Sequence, residues 1–155
     1  MTQTLQAELR QRKPFASLEQ EATISIARTA ALLEHAGAEA LKPHGLTPTQ
    51  YNALRILRGA EPEGLCRNEV RDRLIARVPD ATRLLERLEE TGLVARAREG
   101  EDRRFVRARI TSAGLELLAA LDGEVEQLHR RQLGHLGERK LRALVDLLAE
   151  ARDRP

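Results

Sequence analysis

The chain is poor in aromatic side chains and in cysteine. Of its 155 residues, two are Phe, one is Tyr and none is Trp. A stacking platform for single-stranded nucleic acid needs several aromatic rings, so the composition argues against that class of protein. Cys66 is the one cysteine. This count excludes an internal disulfide and a zinc site built from several thiolates.

Long apolar runs are missing as well. No stretch approaches the roughly 20 apolar residues of a membrane-spanning helix, and the polar N-terminus lacks the apolar segment of a secretion signal. The length suits one domain, alone or with additional dimerising helices. We therefore expect a protein of the reducing cytoplasm.

Charge is abundant but unevenly distributed. Charged residues make up 32% of the chain, yet the formal net charge is only +2. Residues 93–111 nevertheless hold six arginines and three acidic residues. A basic segment this short is typical of a surface that binds phosphate.

Capping residues and apolar spacing predict a long helix near the N-terminus. Residues 1–16 mix polar and charged side chains, and we expect them to form a loosely ordered arm. Ser17 and Gln20 form a capping-box pattern that begins a helix. This helix is predicted to continue to about Leu41, before Pro43 and Gly45 end it.

Three shorter helices are predicted in the middle of the chain. The first begins at Thr47, where Pro48 and Gln50 complete a helix-start pattern, and it ends near Gly59. A second covers about 67–76. The third is predicted to open at Pro79 and to run to about Thr91, with Gly92 after it. Its apolar residues recur at i, i+3, i+4 and i+7, which predicts a buried stripe of Ala81, Leu84, Leu85 and Leu88.

The hydrophobic period then changes from that of a helix to that of a strand. Residues 105–110 alternate, so that Val106, Ala108 and Ile110 share one face. Residues 93–98 can pair with them, which predicts a hairpin with a charged tip around 99–102. After the hairpin, Thr111 is predicted to cap a helix that runs to about Leu133, and a last helix covers about 138–152.

Three short helices followed by a charged hairpin are typical of a winged helix-turn-helix. In this geometry one helix enters the major groove of DNA, and the wing reaches the adjacent minor groove. The helix near Pro79 is the candidate recognition helix. The predicted fold is mainly α with a small β-hairpin wing and long terminal dimerisation helices. We divide it into an arm (1–16), an N-terminal dimerisation helix (17–45), a DNA-binding domain (46–111) and C-terminal dimerisation helices (112–155).

Three stretches follow one another along the chain: Leu46–Leu57, Thr82–Val94 and Asp102–Gly114. The last combines an Asp-x-Arg, a strand and a Thr-x-x-Gly helix start. In order and spacing these stretches resemble the MarR (multiple antibiotic resistance regulator) family over roughly residues 20–150. The turn before the recognition helix departs from many relatives, because Arg77-Val78-Pro79-Asp80 stands where they carry small hydroxyl residues.

The resemblance implies a homodimer that binds a pseudo-palindromic DNA operator, most often as a repressor. It implies that Arg104 is similar to the wing arginine that enters the minor groove, and that Asp102 is similar to the acid that orients it. It also implies release by a small phenolic or lipophilic effector held between the dimer helices and the DNA-binding domain. For that pocket the candidates are His35 and Tyr51.

Two sets of candidate residues follow. The DNA-binding set is Thr49, Gln50, Pro79, Asp80, Thr82, Arg83, Arg87, Arg98, Asp102, Arg103 and Arg104. The dimer-interface set, drawn from the apolar positions of the terminal helices, is Leu18, Leu128, Leu141, Leu144 and Leu148.

Several of these residues have a second interpretation. Arg83 and Arg87 also have the spacing to pair with Glu86 and Glu90 on their own helix. The Thr49 and Gln50 pair can cap a helix without touching a phosphate. Arg98, Arg107 and Arg109 suit phosphate contacts or ion pairs within the wing better than base recognition.

Other chemistries find little support. Cys66 at a helix start next to Arg67 is either a redox-sensitive thiol or, more often for such a residue, a small apolar side chain. The four histidines lack the spacing of metal ligands. We find no catalytic triad order and no phosphate-binding loop, so we expect no enzyme and no cofactor. The alternative function is a winged-helix interaction module that does not bind DNA.

Overall fold

The computed structural model describes residues 3–100 and 105–153. The helices and strands, in chain order, are α1 (Leu5–Glu8), α2 (Leu18–Leu41), α3 (Pro48–Arg58), β1 (Leu65–Cys66), α4 (Arg67–Arg73), α5 (Ala81–Glu90), β2 (Val94–Arg98), β3 (Val106–Ile110), α6 (Ser112–Leu133) and α7 (Gly137–Arg152). Within the described ranges, none of the helices is both long enough and apolar enough to cross a membrane.

The predicted helix starts are confirmed, because the polar caps have their expected partners. The Ser17 hydroxyl accepts the backbone N–H of Gln20 at 3.1 Å, and α2 follows. Thr111 accepts the N–H of Gly114 at 3.2 Å at the start of α6. Each cap satisfies a backbone donor that the first helical turn leaves unpaired.

The start of α5 differs from the prediction. The helix begins at Ala81, two positions after Pro79, because the Asp80 carboxylate accepts the N–H of Thr82 at 2.9 Å and caps it. Pro79 therefore belongs to the preceding turn. Asp80, a candidate DNA contact, acts in this structure as the N-cap of the recognition helix.

The wing is a sheet of three strands, where the sequence predicts a hairpin of two. β2 and β3 pair antiparallel over five residues each, with Ala95 opposite Arg109 and Arg96 opposite Ala108. β1 adds only Leu65 and Cys66 along the other side of β3. A two-residue strand is too short to show alternation in the sequence.

The apolar core lies in the winged head, which comprises α3, α4, α5 and the sheet, and it extends onto α6. The side chains of Leu54, Leu57, Leu88 and Leu118 are 1% exposed or less. The predicted stripe of α5 is confirmed, since Ala81, Leu85 and Leu88 are buried and Leu84 packs against the core. On β3, Ala108 and Ile110 are buried as the alternation predicts.

The terminal helices bury much less. α2 contains one buried residue, Leu41, and α7 contains none. In the described part of the arm, a four-residue helix, α1, interrupts the segment that we expected to be irregular. The structure therefore consists of a packed head with long helices whose apolar residues remain largely accessible.

Candidate nucleic-acid interface

The recognition helix α5 has one buried face and one charged face, on which Glu86 and Glu90 are exposed as well as two arginines. Ala81, Leu85 and Leu88 point into the head, whereas Arg83 and Arg87 are exposed on the opposite side. In the described residues, Glu86 and Glu89 pair with Arg96 of the wing and not with these arginines. The interpretation in which Arg83 and Arg87 serve as partners of their own helix thus gains no support.

The first turn of α5 is fixed from α4. The Arg67 guanidinium donates through Nη1 to the Thr82 hydroxyl at 3.1 Å. Together with the Asp80 cap, this contact holds the end of α5 that would meet base edges in a major groove. Thr82 is half-buried, and Arg67 is exposed beside it.

The start of α3 is a closed capping box. Gln50 accepts the N–H of Thr47 through Oε1 at 3.0 Å, and the Thr47 hydroxyl accepts the N–H of Gln50 at 3.1 Å. The side-chain oxygen of Gln50 is thus used within the helix, which favours its capping interpretation. Thr49, the residue before Gln50 in the same turn, is half-buried.

Arg96 connects the wing to the recognition helix. Its guanidinium lies on the inward side of β2, with Nε 2.9 Å from Glu89 Oε2 and Nη1 3.7 Å from Glu86 Oε1. The backbone N–H of Arg96 also donates to Glu89 at 3.1 Å. Hydrogen bonds from Arg96 lower the pKa of the Glu89 carboxyl. The angle between β2 and α5 is therefore fixed by charged hydrogen bonds as well as by apolar packing.

Two further wing arginines are held by the protein itself. Arg107 donates to the carbonyl of Gly64 at 3.1 Å and pairs with Glu99 at 3.3 Å. Arg109 donates to the carbonyl of Pro62 at 2.9 Å and also pairs with Glu99. These contacts agree with the predicted role as ion pairs within the wing.

Four predicted DNA contacts follow one another in the sequence from the end of β2 onward. Arg98 is exposed at the last position of β2. Asp102, Arg103 and Arg104 lie outside the described residues, so their roles remain predictions.

A cavity of about 290 Å³ lies between the head and the long helices. Tyr51 lines it, as expected of a candidate effector residue, and the Arg55 guanidinium carbon lies 6.0 Å from the centre of the Tyr51 ring. His35 is exposed on α2 and is not one of the lining residues, whereas His129 of α6 is. Most of the remaining wall is aliphatic, from Leu33, Leu41, Ile75, Val125 and Leu128.

Cys66 lines a second cavity, of about 260 Å³, between α4, α5 and the sheet. The cysteine is half-buried at the start of α4, and its backbone N–H donates to Glu69 at 2.8 Å. This hydrogen bond lowers the pKa of Glu69. Across the described ranges, no group of three or more His, Cys, Asp or Glu residues is arranged to hold a metal ion.

The predicted dimer residues are placed on accessible apolar surface. Leu18 is 77% exposed, and Val145 of α7 is 63% exposed. Another four predicted residues are only half-buried, namely Leu128, Leu141, Leu144 and Leu148. Accessible apolar side chains of this kind on long helices are typical of an association surface.

Known proteins are similar to this chain in sequence and in architecture. A model of the MarR family matches residues 44–104, which include α3 to β2. The HTH-type transcriptional regulator FarR of Neisseria gonorrhoeae is 33% identical over 110 residues, 71% of this chain and 74% of FarR. A MarR transcription factor from Planctomyces limnophilus is 43% identical, over 88% of this chain and 98% of its own, with a TM-score of 0.69. The chain belongs to the MarR family. It is a winged-helix, DNA-binding transcriptional regulator and not an enzyme.

Solved structures of lower sequence identity share the fold. The structure of a Staphylococcus aureus MepR–DNA complex is 19% identical, with a TM-score of 0.76 over 83% of this chain and 94% of its own. The structure of Bordetella bronchiseptica BpsR, which concerns regulation of DNA binding by 6-hydroxynicotinic acid, is 22% identical. Its TM-score is 0.74 over 86% of this chain and 99% of its own.

Sequence reasoning missed three residues that organise the site: Arg67, Arg96 and Asn52. Arg96 gives a recognisable signal, because it falls on the same strand face as buried Val94 and so needs a carboxylate partner. Arg67 and Asn52 give no such signal, since their partners, Thr82 and Ile75, are distant in sequence.

Proposed function

We propose that this MarR-family regulator binds duplex DNA as a homodimer, with one α5 helix of each protomer in the major groove. The observation that carries the proposal is the pair of exposed arginines on α5. Arg83 and Arg87 are exposed there, opposite a buried leucine face, and the helix is braced by Arg67 and Arg96. A rigid helix that presents unburied guanidinium groups suits contact with guanine edges and phosphates.

The wing supplies the second contact of each head. Glu99 holds Arg107 and Arg109 against the protein, so they stiffen the base of the wing. The exposed Arg98 and the tip residues Asp102, Arg103 and Arg104 are left as the candidates that reach the backbone and the minor groove. A narrow minor groove concentrates negative potential, which favours an inserted arginine.

The homodimer is proposed to form through α2, α6 and α7. Their apolar residues are accessible in the protomer, and α7 buries none of its side chains. Isolated helices of this length are marginally stable in water. A partner helix would cover this surface and hold two heads at the spacing of successive major grooves, about 34–36 Å.

Regulation is proposed to act through the cavity between the head and the long helices. Its largely aliphatic wall, with Glu34, Tyr51, Asn52, Arg55 and His129 at its polar positions, suits a small lipophilic molecule that carries a phenol or another polar group. The ligand-regulated DNA binding of BpsR supports such a role for a protein of this fold. A ligand that favours a different head spacing would weaken DNA binding and relieve repression.

The test is selection of binding sites from a random duplex library, followed by a salt titration of the selected site. We expect a pseudo-palindromic site and a steep linear fall of log K with log salt concentration, because neutralised phosphates release counterions. Arg83→Ala should weaken binding, whereas the matched Arg152→Ala, which removes the same charge at the end of α7, should not. No enriched site, or a flat salt dependence, would overturn the proposal.

A further inference from the structure

We propose that Asn52 is the positioning residue that couples the cavity to the recognition helix, through its hydrogen bond to Ile75. This inference rests on the proposed function, because it assumes that α5 contacts DNA and that a ligand occupies the cavity. It goes beyond that function by naming the contact through which occupancy of the cavity reaches α5.

The coupling contact lies in the turn between α4 and α5. α4 ends at Arg73, and α5 begins at Ala81, so residues 74–80 carry the chain into the recognition helix. The backbone N–H of Ile75 donates to Asn52 Oδ1 at 2.9 Å. Among the hydrogen bonds of residues 3–100 and 105–153, this is the one that ties positions 75–79 to another element.

Both partners of this hydrogen bond also line the cavity. Asn52 follows Tyr51 on α3, and both side chains border the cavity, as does Ile75 from the turn. The Ile75 side chain is 90% exposed, so core packing does not hold it in place. A molecule in the cavity therefore meets an apolar side chain whose backbone is attached to the head by a single side-chain acceptor.

We expect two states of the turn. In the structure, the Asn52 side chain accepts the Ile75 N–H and, five residues later, Asp80 caps α5. An occupant that packs against Ile75 or competes for the Asn52 amide displaces the turn and with it the first turn of α5. Because a ligand shifts an equilibrium only by its differential interaction with the two states, loss of the Asn52 contact should remove the coupling.

The experiment occupies the cavity covalently, so that it does not depend on knowing the natural ligand. His129, which is exposed and lines the cavity, is changed to Cys in a Cys66→Ser background. The new thiol is labelled with benzyl methanethiosulfonate, and complete labelling is verified by mass spectrometry. The Kd for the selected duplex is then measured before and after labelling, and the ratio of the two values is the coupling factor.

We expect labelling to weaken DNA binding about 5- to 100-fold, within the usual range of allosteric coupling. Asn52→Leu in this background should reduce the coupling factor to below about 2-fold. Asn52→Asp, which retains an acceptor oxygen for the Ile75 N–H, should preserve most of it. Ile75→Ala, at an exposed position that folding tolerates, should also reduce it. Amide exchange at Ile75 should accelerate in Asn52→Leu but not in Asn52→Asp.

Two results would overturn the proposal while leaving DNA binding intact. One is a labelled protein that binds the duplex as tightly as the unlabelled protein. The other is a coupling factor that stays unchanged in both Asn52→Leu and Ile75→Ala. Failure of the proposed function itself would look different, since the unlabelled protein would then bind no selected duplex.

Discussion

Two glycines of α6 should respond to alanine with opposite signs. At Gly123 an added Cβ would meet no atom within 4 Å. At Gly114 it would lie 2.6 Å from the carbonyl oxygen of Leu93 and 2.6 Å from Ile110 Cγ1. The same substitution in the same helix therefore separates helix propensity from steric fit.

The magnitudes follow from these surroundings. Alanine in a helix is favoured over glycine by about 0.5–1 kcal/mol, so Gly123→Ala should stabilise the protein by that amount. Gly114→Ala has the same gain in helix propensity, but the added methyl group overpacks a buried site, which costs about 1–3 kcal/mol. The Leu93 oxygen is also held by the Thr111 N–H at 3.0 Å, so it cannot retreat without stretching that bond.

The assay is urea unfolding followed by circular dichroism, at one fixed protomer concentration because association shifts apparent stability. We expect Gly114→Ala to unfold at lower urea than wild type and Gly123→Ala at higher urea. A Gly114→Ala protein as stable as wild type would refute the reasoning, because it would mean that the sheet end and α6 separate without cost.

Four further outcomes are expected from charge and burial. Arg83→Ala should weaken binding to the selected duplex by about 1–3 kcal/mol if the Arg83 side chain contacts a base. Arg104→Ala should weaken binding because it removes a positive charge from the minor groove. An Arg104→Ala protein that binds the duplex as tightly as wild type at about 0.15 M salt would contradict the wing assignment. The bidentate Arg58 contact, at 2.9 and 3.0 Å, lowers the pKa of Asp122. At pH values above the ordinary Asp pKa of about 3.9 this ion pair stabilises the fold, and the stabilisation is lost as the pH falls through the lower pKa of the folded state. In urea unfolding measured at several pH values, Asp122→Asn should therefore show a smaller loss of stability at acidic pH than wild type. Val145→Lys should produce monomers in sedimentation velocity, and a variant that stays dimeric would argue against α7 as the interface.

The sequence predicts those parts of the fold that local chemistry decides. A hydroxyl or carboxylate followed by apolar residues at helical spacing marks a helix start where the side chain accepts a backbone N–H of the first turn. Ser17, Thr47 and Thr111 do so. Alternation identifies β3 because one of its faces is buried. The start of α5 is misplaced by two residues since Pro79 and Asp80 both suit a helix start, and the hydrogen bond to Thr82 decides between them.

The candidate site is less accessible to sequence reasoning, because its contacts join distant segments. Arg96 reaches Glu89 only after β2 folds back along α5, and Arg109 reaches Pro62 across 47 positions. The cavity has no local pattern at all. Its wall combines α2, α3, α6 and the turn at Ile75, so Tyr51 was predictable from its position but His129 was not.

The distribution of burial connects stability to function in the proposed dimer. The head contains most of the buried side chains and is fixed internally by Arg67 and Arg96, while Arg58 ties it to Asp122 of α6. α7, in contrast, contains no fully buried residue within the protomer. We expect association to stabilise it, because most helical stability in proteins comes from tertiary packing of an apolar face. Head spacing is then set by the softest contacts of the molecule, those between protomers and those around the cavity. We expect a ligand to shift these contacts, and the turn before α5, more readily than the packed apolar core of the head.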